Sequence, residues 1–236
     1  MSETREQEVR TPWRRRHAAA LLVAAAAGVL GLYGLMWGLP NLWDVAADSV
    51  VPNGELASRT RDFGRVTAYR YPPLHFDLLR AAFLPADAAA KWLFAGNIKL
   101  RSTVYIWTAR CVSLVMGLGV VIGVHALTRR LYGARAAVFA ALAVMFCPVT
   151  QYYTKNANLD APYVFWLTLA LVALERFLAG GRAALLTWAG LAATAAVCTK
   201  DQAYGAVLLL AVPALAKLRE RAGSWDRATR SRALWA

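Results

Sequence analysis

Trp37-Gly38-Leu39-Pro40-Asn41-Leu42-Trp43-Asp44 opens a polar passage that runs on through Asp48 and closes on Tyr69-Arg70-Tyr71-Pro72-Pro73-Leu74-His75-Phe76. Ahead of it lies an uncharged apolar run over residues 18–39, enough for one bilayer-spanning helix, which needs about 20 residues. Behind it lie several more apolar runs. Ionisable groups set against a membrane face are functional candidates by default. The passage therefore reads as the part that binds or reacts, and the apolar runs as the frame that holds it.

Composition points the same way. Of 236 residues, 58% are hydrophobic and 17% charged, and the mean hydropathy is +0.39. A soluble domain is nearer half apolar and a quarter charged, so the expected fold is all-α, a polytopic membrane helical bundle. The net charge of +13 is not gathered on one basic face. It sits at the ends of apolar runs, the pattern of positive-inside topology and of contact with anionic headgroups. Membrane lipids are thus expected partners, and nucleic acid is not, because no nucleic-acid-binding motif is present. Cys111, Cys147 and Cys198 all lie in apolar runs without C-x-x-C spacing and read as small buried hydrophobes.

Taken in order, residues 1–17 end in Arg14-Arg15-Arg16-His17 and form a cytoplasmic tail. Spans are expected at about 18–39, 102–127, 136–152, 162–178, 183–198 and 203–216, followed by a basic cytoplasmic tail over 217–236. The first run could be a secretory signal peptide, but it is too long for a typical h-region and further spans follow, which favours an uncleaved anchor. Residues 41–101 form one long extracytoplasmic loop, with short interfacial helices expected over 74–84 and 86–94. This topology puts Arg129, Arg130, Arg135, Arg176, Arg182, Lys217, Arg219 and Arg221 inside. Of the basic residues, only Lys155 and Lys200 fall in short outer loops. Six spans with both ends inside is the consistent count.

Asp44 and Asp48 stand four residues apart and would share one face of a helical turn. Such a pair serves as a general base with a helper, as a possible divalent metal site, or simply as a solvated loop or cap. Arg70, His75, Lys155 and Lys200 add cationic or polar groups on the same outer face, suited to a phosphate or to snorkelling contact with headgroups. Acids and bases from three separate loops fall on one side.

Gly38-Leu39-Pro40, the aspartates after it and Tyr71-Pro72-Pro73-Leu74 resemble the first outer loop of GT-C fold membrane glycosyltransferases. The likeness is to the branch holding the protein O-mannosyltransferases and the aminoarabinose transferase (glycosyltransferase family 39-like). It continues through Arg110, Arg129-Arg130-Leu131-Tyr132-Gly133, Pro148, Asn158-Leu159-Asp160-Ala161-Pro162 and Thr199-Lys200. Each motif is short; their order over nearly the whole chain is what is specific.

The resemblance implies an integral membrane enzyme that moves a sugar from a polyprenyl-phosphate donor to a lipid or protein acceptor. The expected location is a bacterial inner membrane, with the active face extracytoplasmic. It implies Asp48 as the catalytic base or orienter of the acceptor, with Asp44 second, and substrate contacts from Arg70, Tyr71, His75, Lys155, Asp160 and Lys200. No cofactor follows with certainty. Relatives carry Asp-Glu at the catalytic position, where Ser49 follows Asp48 here. Relatives are also longer, so the chain is expected to be an N-terminal or truncated part. The rival classes are a transporter or lipid flippase, with charges lining a path across the bilayer, and a non-catalytic membrane subunit.

Overall fold

The computed structural model describes residues 13–39, 71–94 and 97–223. Among them all regular structure is helical: α1 Trp13–Leu32, α2 Leu74–Leu93, α3 Ile98–Tyr132, α4 Ala134–Phe146, α5 Pro148–Lys155, α6 Asp160–Leu178, α7 Ala183–Thr199 and α8 Ala203–Gly223. The described residues thus match the all-α expectation. Two helices, Ser102–Tyr132 within α3 and Asp160–Leu178, are long and apolar enough to cross a membrane, and α4 with α5 makes a third if the bent pair is one span. Residues 18–32 of α1 and all of α7 are shorter apolar helices.

The axis of the bundle is α3, 35 residues long and packed against α1, α2, α4, α5 and α6. At about 1.5 Å per residue it is longer than the hydrocarbon layer is thick. It starts where the Asn97 side chain accepts a hydrogen bond from the Leu100 N–H at 3.2 Å, satisfying one of the helix's free amides. It ends with Arg129 and Arg130 in the last turn, where cations oppose the helix dipole. Gly133 then turns the chain into α4 with φ +89° and ψ 177°, a conformation open essentially to glycine alone.

Small residues let the neighbours approach α3. A Cβ placed on Gly117 would lie 2.1 Å from Thr154 Cγ2, one on Gly119 2.3 Å from Phe165 Cε2, and one on Gly123 2.4 Å from Thr168 Cγ2. Close backbone approach at glycine is how helices associate where lipid supplies no hydrophobic drive.

Two elements differ from the sequence expectation. The span expected over 136–152 is broken: α4 and α5 meet at Cys147 with a 61° bend. Pro148 occupies the first position of α5, lacks an N–H, and holds the preceding Cys147 at an extended φ −63°, ψ 122°. The two interfacial helices expected over 74–84 and 86–94 are one helix, α2, which runs through Pro85. Packing against α3 overrides the proline. Phe76, Leu79 and Phe83, spaced three and four apart on one face of α2, are buried against Tyr105, Ile106 and Ala109 of α3. Phe83 meets Tyr105 edge to face at 5.2 Å, and the Tyr105 hydroxyl donates to Asp87.

At the far end of the chain α6 and α7 form a tight hairpin, and α8 packs against both through Leu174, Phe177, Ala189 and Ala214. Arg221 of α8 donates to the Gly181 carbonyl at 2.9 Å and stacks over the Phe177 ring at 4.6 Å.

Candidate functional site

The residues that end α5, start α6 and end α7 form the candidate site. Asp160 is the first residue of α6, where a carboxylate is stabilised by the helix's positive end. Its N–H donates to Asn158 Oδ1 at 2.9 Å, which sets the entry into the helix. Lys200 follows the last turn of α7, its N–H donating to the Ala196 carbonyl at 2.9 Å. From there Nζ reaches Asp160 Oδ1 at 2.7 Å, with side-chain exposures of 11% for the lysine and 29% for the aspartate. The ammonium also lies 5.3 Å from the centre of the Tyr163 ring, one turn into α6, within range of a cation–π contact.

Beside this pair is a cavity of about 150 Å³ between α3, α5 and α6. Asp160, Tyr163, Thr150, Tyr153 and Thr154 line it together with Gly117, whose missing side chain lets α5 close on α3. The Thr154 hydroxyl donates to the Thr150 carbonyl at 2.8 Å, so its proton is committed within α5. Lys155, the next residue after Thr154, ends α5 half-buried.

The passage that carries the expected acids is held from both sides by one stretch of α3. Arg110 is 2% exposed, and its Nη1 donates to the carbonyl oxygens of Leu35 at 2.8 Å and Trp37 at 2.7 Å. It therefore fixes the turn after α1, seven residues before Asp44. Tyr71 packs, partly buried, on the cluster formed by Phe76, Tyr105, Ile106 and Leu159, the residue just before Asp160. Both ends of the passage thus meet α3 between residues 105 and 110.

Of the expected site residues, the structure brings Lys200 and Asp160 into direct contact, and it seats Tyr71 on the cluster that includes Leu159. Lys155 is near them in sequence, and among the described residues it has no ion-pair partner. His75 is fully buried, with both ring nitrogens unpaired among the described residues, and burial pulls its pKa down to about 4. It is therefore neutral and packed inside, away from any accessible wall of the site. Asp44, Asp48 and Arg70 lie outside the described residues, and with them the carboxylate pair considered for a divalent metal. Among the described residues no group of three or more His, Cys, Asp or Glu side chains comes together.

Sequence reasoning gave no role in the site to two contributors. Tyr163, under Lys200, had no distinguishing signal within an apolar helix. Arg110 did have one, because a cation inside an otherwise apolar run needs polar partners; its partners, two backbone carbonyls, are invisible in sequence.

A helical membrane frame with a cation–carboxylate pair at one end is the class of protein that these features define. A family model, dolichyl-phosphate-mannose-protein mannosyltransferase, matches residues 88–225, more than half of the chain. The protein belongs to this family and is a membrane glycosyltransferase of the GT-C type. Comparison with curated proteins and with solved structures returned no match.

Proposed function

We propose that this protein transfers a sugar from a polyprenyl-phosphate carrier to a lipid or protein acceptor at the extracytoplasmic face of a bacterial inner membrane. The observation that carries the reading is the Lys200–Asp160 pair. Two groups from separate loops converge beside a tyrosine-lined cavity, in a member of a mannosyltransferase family. The proposed topology has six spans, with the outer loop over 41–101 and both tails cytoplasmic.

The proposed chemistry asks little of the protein. The bond between the sugar and the carrier phosphate breaks as the acceptor oxygen bonds to the sugar. The acceptor proton goes to a carboxylate, Asp48 first and Asp44 second. The leaving phosphate gains negative charge as the bond breaks, and fixed cations stabilise that charge most where water is excluded. Lys200 is the proposed contact, with Arg70 and Lys155 as further cations and Asp160 holding Lys200 in place until the phosphate arrives. Tyr71 is the proposed substrate contact on the side nearest α2.

The test is transfer of a labelled sugar from a polyprenyl-phosphate donor in membranes carrying the full-length protein. Activity should appear with the protein and fall at least about a hundredfold, the weight of one general base, in Asp48→Asn or Asp44→Asn. Full activity in both variants would defeat the assignment.

A further inference from the structure

The hairpin of α6 and α7 bears a groove that the reaction proposed above does not use. This groove of about 430 Å³ runs between the two helices, lined by apolar side chains that include Val172 and Leu185, with Trp166 and Trp188. Its only charged lining residue is Arg176, in the last turn of α6. Arg182 stands next to the groove, at the N-cap of α7, one turn before Leu185. Both arginines are exposed. The acid adjacent to Arg176, Glu175, is already engaged by Arg130 of α3 at 2.5 Å. Among the described residues neither Arg176 nor Arg182 makes an ion pair. The groove is therefore apolar along its length and bears uncompensated positive charge at one end.

We propose that this groove binds one anionic glycerophospholipid, with the headgroup phosphate on Arg176 and Arg182 and an acyl chain along the α6–α7 seam. The volume falls within the roughly 300–1,000 Å³ of pockets that enclose small ligands. A free anion would meet the arginines but leave the apolar length unfilled; a zwitterionic lipid would fill it without balancing the charge. Basic pockets between membrane helices are known to select anionic headgroups on this physical ground. The sugar donor is a poor occupant. Arg176 is sixteen residues beyond Asp160 along α6, about 24 Å at the helical rise, so a carrier phosphate here would be out of reach of the Lys200–Asp160 site.

Native mass spectrometry of the purified full chain tests this. Dioleoylphosphatidylglycerol, dioleoylphosphatidylcholine and a polyprenyl phosphate are each titrated onto delipidated protein. One phosphatidylglycerol should be retained over phosphatidylcholine by about thirtyfold, since each arginine at the interface contributes a factor of about five. The surface variant Arg176→Gln/Arg182→Gln should lose that preference, whereas Arg135→Gln, an exposed arginine outside the groove, should keep it. Ala192→Trp, which fills the groove, should abolish retention of either lipid. Equal retention in all variants would mean annular lipid only and would overturn the proposal. So would a dimer that excludes lipid from this face, or a polyprenyl phosphate binding here more tightly than phosphatidylglycerol.

Discussion

Lys200 reaches Asp160 at 2.7 Å across forty residues of chain, tying the end of α7 to the start of α6. The pair is neither fully buried nor free in solvent, which sets its weight between that of a surface ion pair and that of a dry one.

Breaking the pair should therefore hurt stability and transfer together. Asp160→Asn leaves a mostly buried ammonium without its counter-charge, at a cost of about 1–3 kcal/mol, and Lys200→Ala should remove most sugar transfer. The exchange Asp160→Lys/Lys200→Asp separates the two roles. Thermal melting in detergent should recover only in part, because each charge then opposes the dipole of its own helix, while transfer stays low, because the cation projects from the other helix. Recovery of transfer in the exchanged variant would reduce the pair to a brace.

His75 makes stability depend on acidity. Its pKa is about 4 in the folded protein, because burial disfavours the charged ring, against 6.5 when exposed. Between those values the unfolded chain binds more protons than the folded one, so stability is complete above about pH 6.5 and falls as pH drops toward 4. At about pH 5 the loss should be about 2 kcal/mol relative to neutral pH. His75→Leu should flatten the melting temperature across this range; an unchanged slope in that variant would place the proton uptake elsewhere.

Gly117 has no room for a methyl group. Its added Cβ would stand 2.1 Å from Thr154 Cγ2 and 2.8 Å from Thr154 Cβ, and a β-branched residue in a helix has little rotamer freedom with which to retreat. Gly117→Ala should cost about 1–3 kcal/mol by overpacking and push α5 off α3, deforming the cavity beside Asp160. The double variant Gly117→Ala/Thr154→Ser, which removes Cγ2 but keeps the Cβ at 2.8 Å, should recover part of the melting temperature. No recovery would mean that the strain lies elsewhere than at this contact.

Arg110 is a positioning residue. Arg110→Met leaves the Leu35 carbonyl without its donor in a buried place, at about 1–3 kcal/mol, and the Trp37 carbonyl in a partly buried one, at a smaller cost. The melting point should drop, and transfer should drop further than stability alone explains, because the turn ahead of Asp44 loses its register. Arg110→Lys should restore part of the stability only, since one ammonium on a flexible stem does not reproduce the fixed fork of a guanidinium. Normal transfer in a folded Arg110→Met protein would dissociate the clamp from function.

The proposed topology can be read by labelling. In a variant lacking Cys111, Cys147 and Cys198, an impermeant thiol reagent on spheroplasts should modify Ser49→Cys and Asn156→Cys and spare Ser224→Cys. The reverse pattern would put the acids, Lys155 and Lys200 on the wrong side for a shared outer site.

Much of this was legible in the sequence, for reasons that particular residues make plain. Apolar runs bounded by Arg129, Arg130 and Arg176 marked helix positions because the bilayer punishes charge wherever it is not at an edge. Asp160 and Lys200 could be assigned to one side by topology alone. That they touch could not, because it depends on how α6 packs on α7. Pro148 was visible, but the same residue type bends the chain at Cys147 and is absorbed at Pro85, and only the packing of Phe76, Leu79 and Phe83 on α3 distinguishes the cases. His75 was grouped with the polar residues of the outer face because it falls in the same loop; the fold turns it inward.

The attachment to α3 of the residues that flank 40–70 bears on how such a protein can diversify. Arg110 holds one end through the Trp37 carbonyl, and Tyr105, Ile106 and Ala109 hold the cluster at the other. With both ends pinned to the same few turns of one helix, the entropy of closing the segment grows only as the logarithm of its length, and doubling it costs about 0.6 kcal/mol. Insertions there should be nearly neutral for folding. This segment can therefore change in length while the helices that flank it stay the same.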